Sequence, residues 1–270
     1  KTGHALLTGT ILHVLYAEPD KTLAGVANYL SNPNRTIGET LRSMMHAAHL
    51  ENGQTHPVVA AAAREMLNKS ENERSGVLST AMSFLSLYRD PVVANNTKDS
   101  DFRILDLLES EKPVSLYIAI PPSDINRLRP LCRLIVNQIC RRLTEVHQPE
   151  RNKQRLLLML DEFPALGRLD FFETALGFLA GYGIKAVLIS QSINQLEKTY
   201  GVKNSIIDNT HVRVAYAPNT IETAETLSKM PRQKTEAPTQ TNFGGQRLAP
   251  RLPHVLMATE ESARPPLPPG

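Results

Sequence analysis

Between residues 20 and 90 apolar side chains return every three or four positions, the period of helices that bury one face. Leu23, Val26, Ala27 and Leu30 share such a face behind Asp20, which is placed to cap it, and Ser31-Asn32-Pro33 ends it. Thr36 and Glu39 have capping-box spacing at the start of a helix that carries Ile37, Leu41, Met44, Met45 and Ala48. Two more helices are predicted, around Val58 to Asn68 and Ser75 to Tyr88. From about residue 95 the pattern changes. Short runs that are apolar at nearly every position, VSLYIAI (114–120), RLLLML (155–160), KAVLIS (185–190) and HVRVAYA (211–217), alternate with helical patterns at about 125–146, 170–181, 192–200 and 219–229. Strands that are apolar on both faces and joined by helix-length crossovers make a parallel sheet covered on both sides. The predicted fold class is α/β, with an all-α segment before it.

Composition narrows the setting without identifying a partner. At 270 residues the chain can bury a sizeable core, and its 41% hydrophobic and 21% charged residues are ordinary for a globular protein. A net charge of +3 is too weak to single out a nucleic-acid binder. Cys132 and Cys140 fall eight positions apart on one predicted helix, roughly 12 Å between backbones, which is beyond disulfide reach. Reduced thiols and a cytoplasmic setting are therefore expected. No window approaches the roughly 18 to 20 apolar residues of a membrane span. His46 and His49 have no acidic or Cys partners nearby in sequence, so a helix surface is the expected place for them.

The run LLLMLDEF (156–163) drives five apolar residues into Asp161 and Glu162. In parallel sheets ligands bind at the carboxyl ends of strands, and an apolar strand ending in such a pair is the Walker B pattern. The first carboxylate would hold Mg²⁺ through water and the second would orient or deprotonate the attacking water. A simple cap on the turn after a buried strand is the alternative. The next run ends at Gln191, where a neutral amide at the corresponding edge would sense the γ-phosphate, or would cap the following helix.

Longer blocks carry a resemblance. SGVLSTAMSFLSLYRDPVVANNTKDSDF (75–102), PVSLYIAIPPSDINRLRPLCRLIVNQ (113–138), LLLMLDEFPALGRL (156–169), AGYGIKAVLISQSINQLEKTYG (180–201) and NSIIDNTHVRVAYAPNTIETAETLS (204–228) are similar to the TraG-type coupling proteins of type IV secretion and conjugation. That resemblance implies a membrane-anchored homo-hexameric ATPase on the cytoplasmic side of the bacterial inner membrane. It would use ATP and Mg²⁺ to deliver DNA-protein cargo to a type IV secretion channel, and DNA, relaxase and relaxosome proteins would be its partners. Residues 1–92 would be part of the all-α domain, 93–230 the Walker B half of a RecA-like nucleotide-binding domain, and 231–270 an extended or disordered tail. Under this resemblance Asp161 binds Mg²⁺, while Glu162 and Gln191 are catalytic. Ala180 aligns with the arginine finger of some relatives, which leaves Arg168, Arg127, Arg129 and Arg213 as candidates for a finger or for DNA contact. The sequence holds no G-x-x-x-x-G-K-[ST] loop, which the family places earlier together with the membrane anchor, so this chain by itself is expected not to hydrolyse ATP. Two rival readings are a non-catalytic substrate receptor and a related hexameric DNA pump.

Overall fold

The computed structural model describes residues 2–147 and 151–214, together with the backbone of the short strands Lys234–Glu236, Thr239–Gly244, His254–Thr259 and Ser262–Arg264. It divides into two compact units, one of residues 1–103 with Asn126–Leu128, the other of Ile104–Ile125 with residues 129–270.

The first unit is helical. Helices α1 (Thr2–Ala17), α2 (Leu23–Leu30), α3 (Ile37–His46), α4 (Pro57–Leu67) and α5 (Glu71–Leu85) are followed by a 3-10 turn at Ser86–Arg89 and by α6 (Pro91–Asn96). Local chemistry sets their ends. Thr36 and Glu39 form the predicted capping box, and Ser70 with Glu73 forms a second one. Pro57 opens α4, where its missing N–H costs nothing. The α2 cap differs from the expectation. Thr22 accepts the N–H of Gly25 at 2.9 Å, and Asp20 instead accepts from the Thr22 hydroxyl at 2.6 Å. Leu6, Val14, Leu41, Met44, Val59, Ala63 and Met66 form a core in which each is no more than 2% exposed.

Helices α1 and α4 meet where a Cβ on Gly9 would lie 2.5 Å from the Ala62 Cβ. Gly9→Ala must therefore push the two helices apart, and we expect a loss of about 1–3 kcal/mol, the usual cost of overpacking. Chemical denaturation followed at α1 would check this, and unchanged stability would show that the contact yields.

The second unit holds α7 (Asp106–Glu109), α8 (Ile125–Thr144, apart from residues 126–128, which belong to the first unit), β1 (Leu156–Leu160), α9 (Asp170–Ala175), β2 (Ile184–Leu188), α10 (Ile193–Tyr200) and α11 (Ser205–Asp208). Strands β1 and β2 pair in parallel, Leu156 opposite Ile184 through Leu160 opposite Leu188. Their core face packs on Val136, Ile139, Cys140 and Leu143 of α8, on Phe172 and Ala175 of α9, and on Tyr200 of α10. Leu157 and Met159 on the other face are 57% and 61% exposed. Both cysteines are free and buried on α8, and burial pushes the Cys140 thiol up to about 11. No helix among the described residues is long and apolar enough to cross a membrane.

Three sequence expectations change. Residues 114–120 form no strand, and Val114, Leu116, Tyr117 and Ile118 are between 39% and 88% exposed. An apolar run of this kind needs a hydrogen-bonded neighbour and layers on both faces, and the described residues supply neither. Instead it borders a 900 Å³ cavity, whose lining also includes Cys132 and Val136 of α8 together with Asp161 and Glu162. The helix predicted over 170–181 stops at Ala175 and resumes as a 3-10 turn, Leu179–Tyr182, which ends at Gly183 with φ 78°. The left-handed region is open to glycine, as the helix-ending role of this glycine requires. Residues 211–214 are not a strand; 215–217 and the predicted helix at 219–229 lie outside the described residues. In the C-terminal stretch Lys234–Glu236 pairs antiparallel with Ser262–Arg264, and Thr239–Gly244 with His254–Thr259.

Candidate functional site

Asp161 and Glu162 leave the carboxyl end of β1, and Gln191 lies just past the carboxyl end of β2. Because the two strands are parallel and adjacent, both ends open on the same edge of the sheet. The ladder continues briefly beyond the strands, Ile189 donating to the Leu160 carbonyl at 3.0 Å and Phe163 to the Ile189 carbonyl at 2.9 Å. That extension brings the two polar ends together. The Gln191 Nε2 donates to the Glu162 Oε2 at 2.8 Å.

The backbone of Glu162 is unusual. It sits at φ 45° and ψ 46°, the only non-glycine with positive φ among the described residues. A left-handed glutamate costs about 1–3 kcal/mol, and such strain persists only where surrounding contacts hold it. Here the residues after Glu162 supply those contacts. Phe163, the next residue, is fully buried between Phe172 and Tyr200, with ring centroids at 5.6 and 5.4 Å. Tyr200 closes the turn by accepting from the Leu169 N–H at 3.3 Å and donating to the Gly167 carbonyl at 3.4 Å. Burial pushes its phenol up to about 12, so it remains the donor this contact needs.

Asp161 is exposed, and one of its oxygens accepts the Glu162 N–H at 3.0 Å. Its other oxygen has no protein partner among the described residues and, with the neighbouring carboxylate, offers the hard oxygen donors that suit Mg²⁺ held partly through water. Among the described residues no group of three His, Cys, Asp or Glu is arranged to enclose a metal. The residues therefore fit a shared, solvent-open Mg²⁺ position and not a closed protein cage.

Gln195 escaped the sequence reading. Its Oε1 accepts from the Gln191 N–H and from the Ser190 hydroxyl, both at 3.3 Å, while its own N–H donates to Ser192, the cap of α10. The signal was present as Ser192-x-x-Gln195, capping-box spacing in which the amide reaches one residue further back than usual. Helix α10 thus carries both the residue that fixes the Gln191 turn and, at its far end, the Tyr200 that fixes the turn after Glu162.

The candidate arginines are held in other contacts. Arg168 binds Asp170 at 2.8 Å and Glu173 at 3.1 Å, and its carbonyl accepts from Arg133 at 2.7 Å. Arg127, itself part of the helical unit, pairs with Asp90 of that unit at 2.7 Å. Arg213 donates to the Ile207 and Thr210 carbonyls at 2.8 and 3.2 Å. The stem of Arg129 runs beside Gly167, where a Cβ would meet it at 3.7 Å.

Comparison with known proteins bears on the whole arrangement. The family model for type IV secretory system conjugative DNA transfer matches residues 1–247. A conjugal transfer protein TraG of Escherichia coli is 48% identical over 282 residues, which covers 100% of this chain and 44% of that protein. Protein VirD4 of Rhizobium radiobacter is 29% identical over 260 residues, 90% of this chain and 36% of the relative. A structure of the plasmid coupling protein TrwB in complex with ADP and Mg²⁺ superimposes with a TM-score of 0.63 at 24% identity, covering 84% of this chain and 51% of that one. A second TrwB structure, with a non-hydrolysable ATP analogue, gives the same TM-score. These likenesses show the fold, a RecA-like α/β arrangement with a parallel sheet accompanied by helices. The chain spans less than half the length of the curated relatives it matches.

Proposed function

Since the chain belongs to the type IV secretory system conjugative DNA transfer family, we propose that it supplies the carboxylate and sensor side of the nucleotide site in a coupling ATPase. The observation that carries this is the hydrogen bond from Gln191 to Glu162 across the ends of two adjacent parallel strands. A mere strand cap would need neither the left-handed backbone at Glu162 nor an amide delivered to its carboxylate from 29 residues away.

In this reading Asp161 would hold Mg²⁺ through water, and the ion would supply neutralisation of phosphate charge. Glu162 takes the proton of the attacking water. Gln191 keeps that carboxylate turned in its resting position and exchanges it for the γ-phosphate oxygens, so the Glu162 carboxylate is released when ATP arrives. Gln195 keeps the Gln191 turn in place. The complete protein would be a homo-hexamer on the cytoplasmic face of the inner membrane that drives DNA-protein cargo into a type IV secretion channel. Residues 1–92 would form an all-α domain that meets relaxase and relaxosome proteins. Residues 93–230 would be the nucleotide-binding part and 231–270 a tail.

The test uses the full-length protein, with the 270-residue chain as a control that shows no turnover. Asp161→Asn lowers nucleotide affinity measured with Mg²⁺, because the ion's charge is needed in the ground state as well as in the transition state. Gln191→Ala leaves affinity nearly intact and removes the stimulation of hydrolysis by DNA. DNA-stimulated turnover equal to that of the unmodified protein in Gln191→Ala would overturn the sensor role. A full-length protein with no turnover at all would favour a substrate receptor instead.

A further inference from the structure

Three histidines of the helical unit are joined in a chain that fixes the proton on each ring. His13, on α1, is 2% exposed, and its Nδ1 lies 2.8 Å from the Nε2 of His49, itself 7% exposed in the loop after α3. The His49 Nδ1 accepts the backbone N–H of His56 at 3.2 Å. In turn the His56 Nδ1 accepts the N–H of Val58 at 3.2 Å and caps α4. A backbone N–H can only donate, so the Nδ1 atoms of His49 and His56 carry no proton. His49 must then carry its proton on Nε2 and donate to His13. The His13 proton is therefore on Nε2, which faces the Glu18 carboxylate at 3.4 Å without hydrogen-bond alignment. A second proton on either buried ring would set N–H against N–H.

The groups around these rings come from every neighbouring segment. Tyr29 of α2 places its ring 4.6 Å from His13, with the Arg35 guanidinium 4.2 Å over it and its hydroxyl 2.6 Å from Ser43 of α3. Tyr16 of α1 stacks on His56 at 5.8 Å and meets His49 edge-on at 6.5 Å. Glu18 favours a proton on His13, while burial, His49 and Arg35 oppose it.

We propose that the buried pair His13–His49 is an acid-release device: while both rings are neutral it ties α1 to the α3–α4 loop and to the start of α4, and it lets them part when these two rings take up protons.

Burial before all else holds both His13 and His49 below the ordinary value of 6.5, and His56 adds to this at His49. The opened state therefore binds more protons below that pH. The stabilisation is complete above about pH 6.5 and is lost as the pH falls toward the depressed values. Each extra proton lowers the closing equilibrium about tenfold per pH unit, so both rings together lower it up to about a hundredfold.

Amide hydrogen exchange of α1 and α4 in this chain, corrected for intrinsic rates, reads that equilibrium directly. Protection should fall steeply between about pH 6.5 and 5.5, and the slope should flatten in the double variant His13→Asn, His49→Gln, which keeps an acceptor facing a donor but cannot titrate. Equal slopes in the two proteins would overturn the proposal. Should the variant not fold, ¹⁵N imidazole spectra of the unmodified chain decide. His13 and His49 should show the Nε2-protonated form and keep it as the pH falls through the ordinary imidazole value of 6.5. A normal midpoint near 6.5 at His13 or His49, with the helices still protected, would also overturn it.

Discussion

Glu162→Gln in the full-length protein is expected to bind ATP with unchanged affinity and to hydrolyse it on the order of 10² to 10⁴ times more slowly, the usual worth of a general base. Glutamine keeps the size of the side chain, and the Gln191 amide can still donate to its carbonyl oxygen as it does to Oε2 at 2.8 Å in the native chain. Only the proton acceptor is lost. Ground-state contacts to nucleotide should therefore survive, and a drop in turnover at constant affinity marks an interaction made in the transition state. Hydrolysis at the unmodified rate would reduce the carboxylate pair to a strand cap. Loss of affinity along with turnover would instead show that Glu162, and not Asp161 alone, serves the ion.

The second large effect belongs to the support behind that carboxylate. Phe163→Ala removes a fully buried ring from between Phe172 and Tyr200 and should cost about 3–5 kcal/mol of stability in the α/β unit. Chemical denaturation followed at β1 and β2 amides would measure it. Phe84→Ala, which alters a ring 67% exposed on α5, provides the contrast and should change stability by no more than about 0.5 kcal/mol. Since Phe163 directly follows the strained Glu162, the same substitution should also loosen the Gln191 contact, visible as faster exchange of the Gln191 side-chain amide. A loss under about 1 kcal/mol would mean that the turn is held by its backbone bonds and not by the aromatic stack.

Local chemistry was readable along the chain because its partners lie within four residues of each other. The Thr36–Glu39 box, the end of α2 near Ser31, the strands at Leu156–Leu160 and Ile184–Leu188, and a helix starting after Ser192 all follow from caps and apolar runs. The carboxylate pair was also legible, as an apolar strand ending in Asp161 and Glu162. Even there one short-range assignment moved, since Thr22 caps α2 and Asp20 stands behind it.

Contacts between distant positions were decided only by the tertiary structure. The Glu162 backbone is left-handed because Phe163 is drawn against Phe172 and Tyr200, the latter 37 positions further along the chain, a force that no local propensity expresses. Gln191 faces Glu162 because parallel pairing puts two strand ends on one edge. His49, expected on a helix surface, is buried because His13 approaches it from 36 residues away, whereas His46 stays exposed. Residues 114–120 read as a strand yet pair with nothing among the described residues. Apolar pattern alone specifies a tendency to extend, and a strand exists only where another backbone completes its hydrogen bonds and other side chains cover its faces.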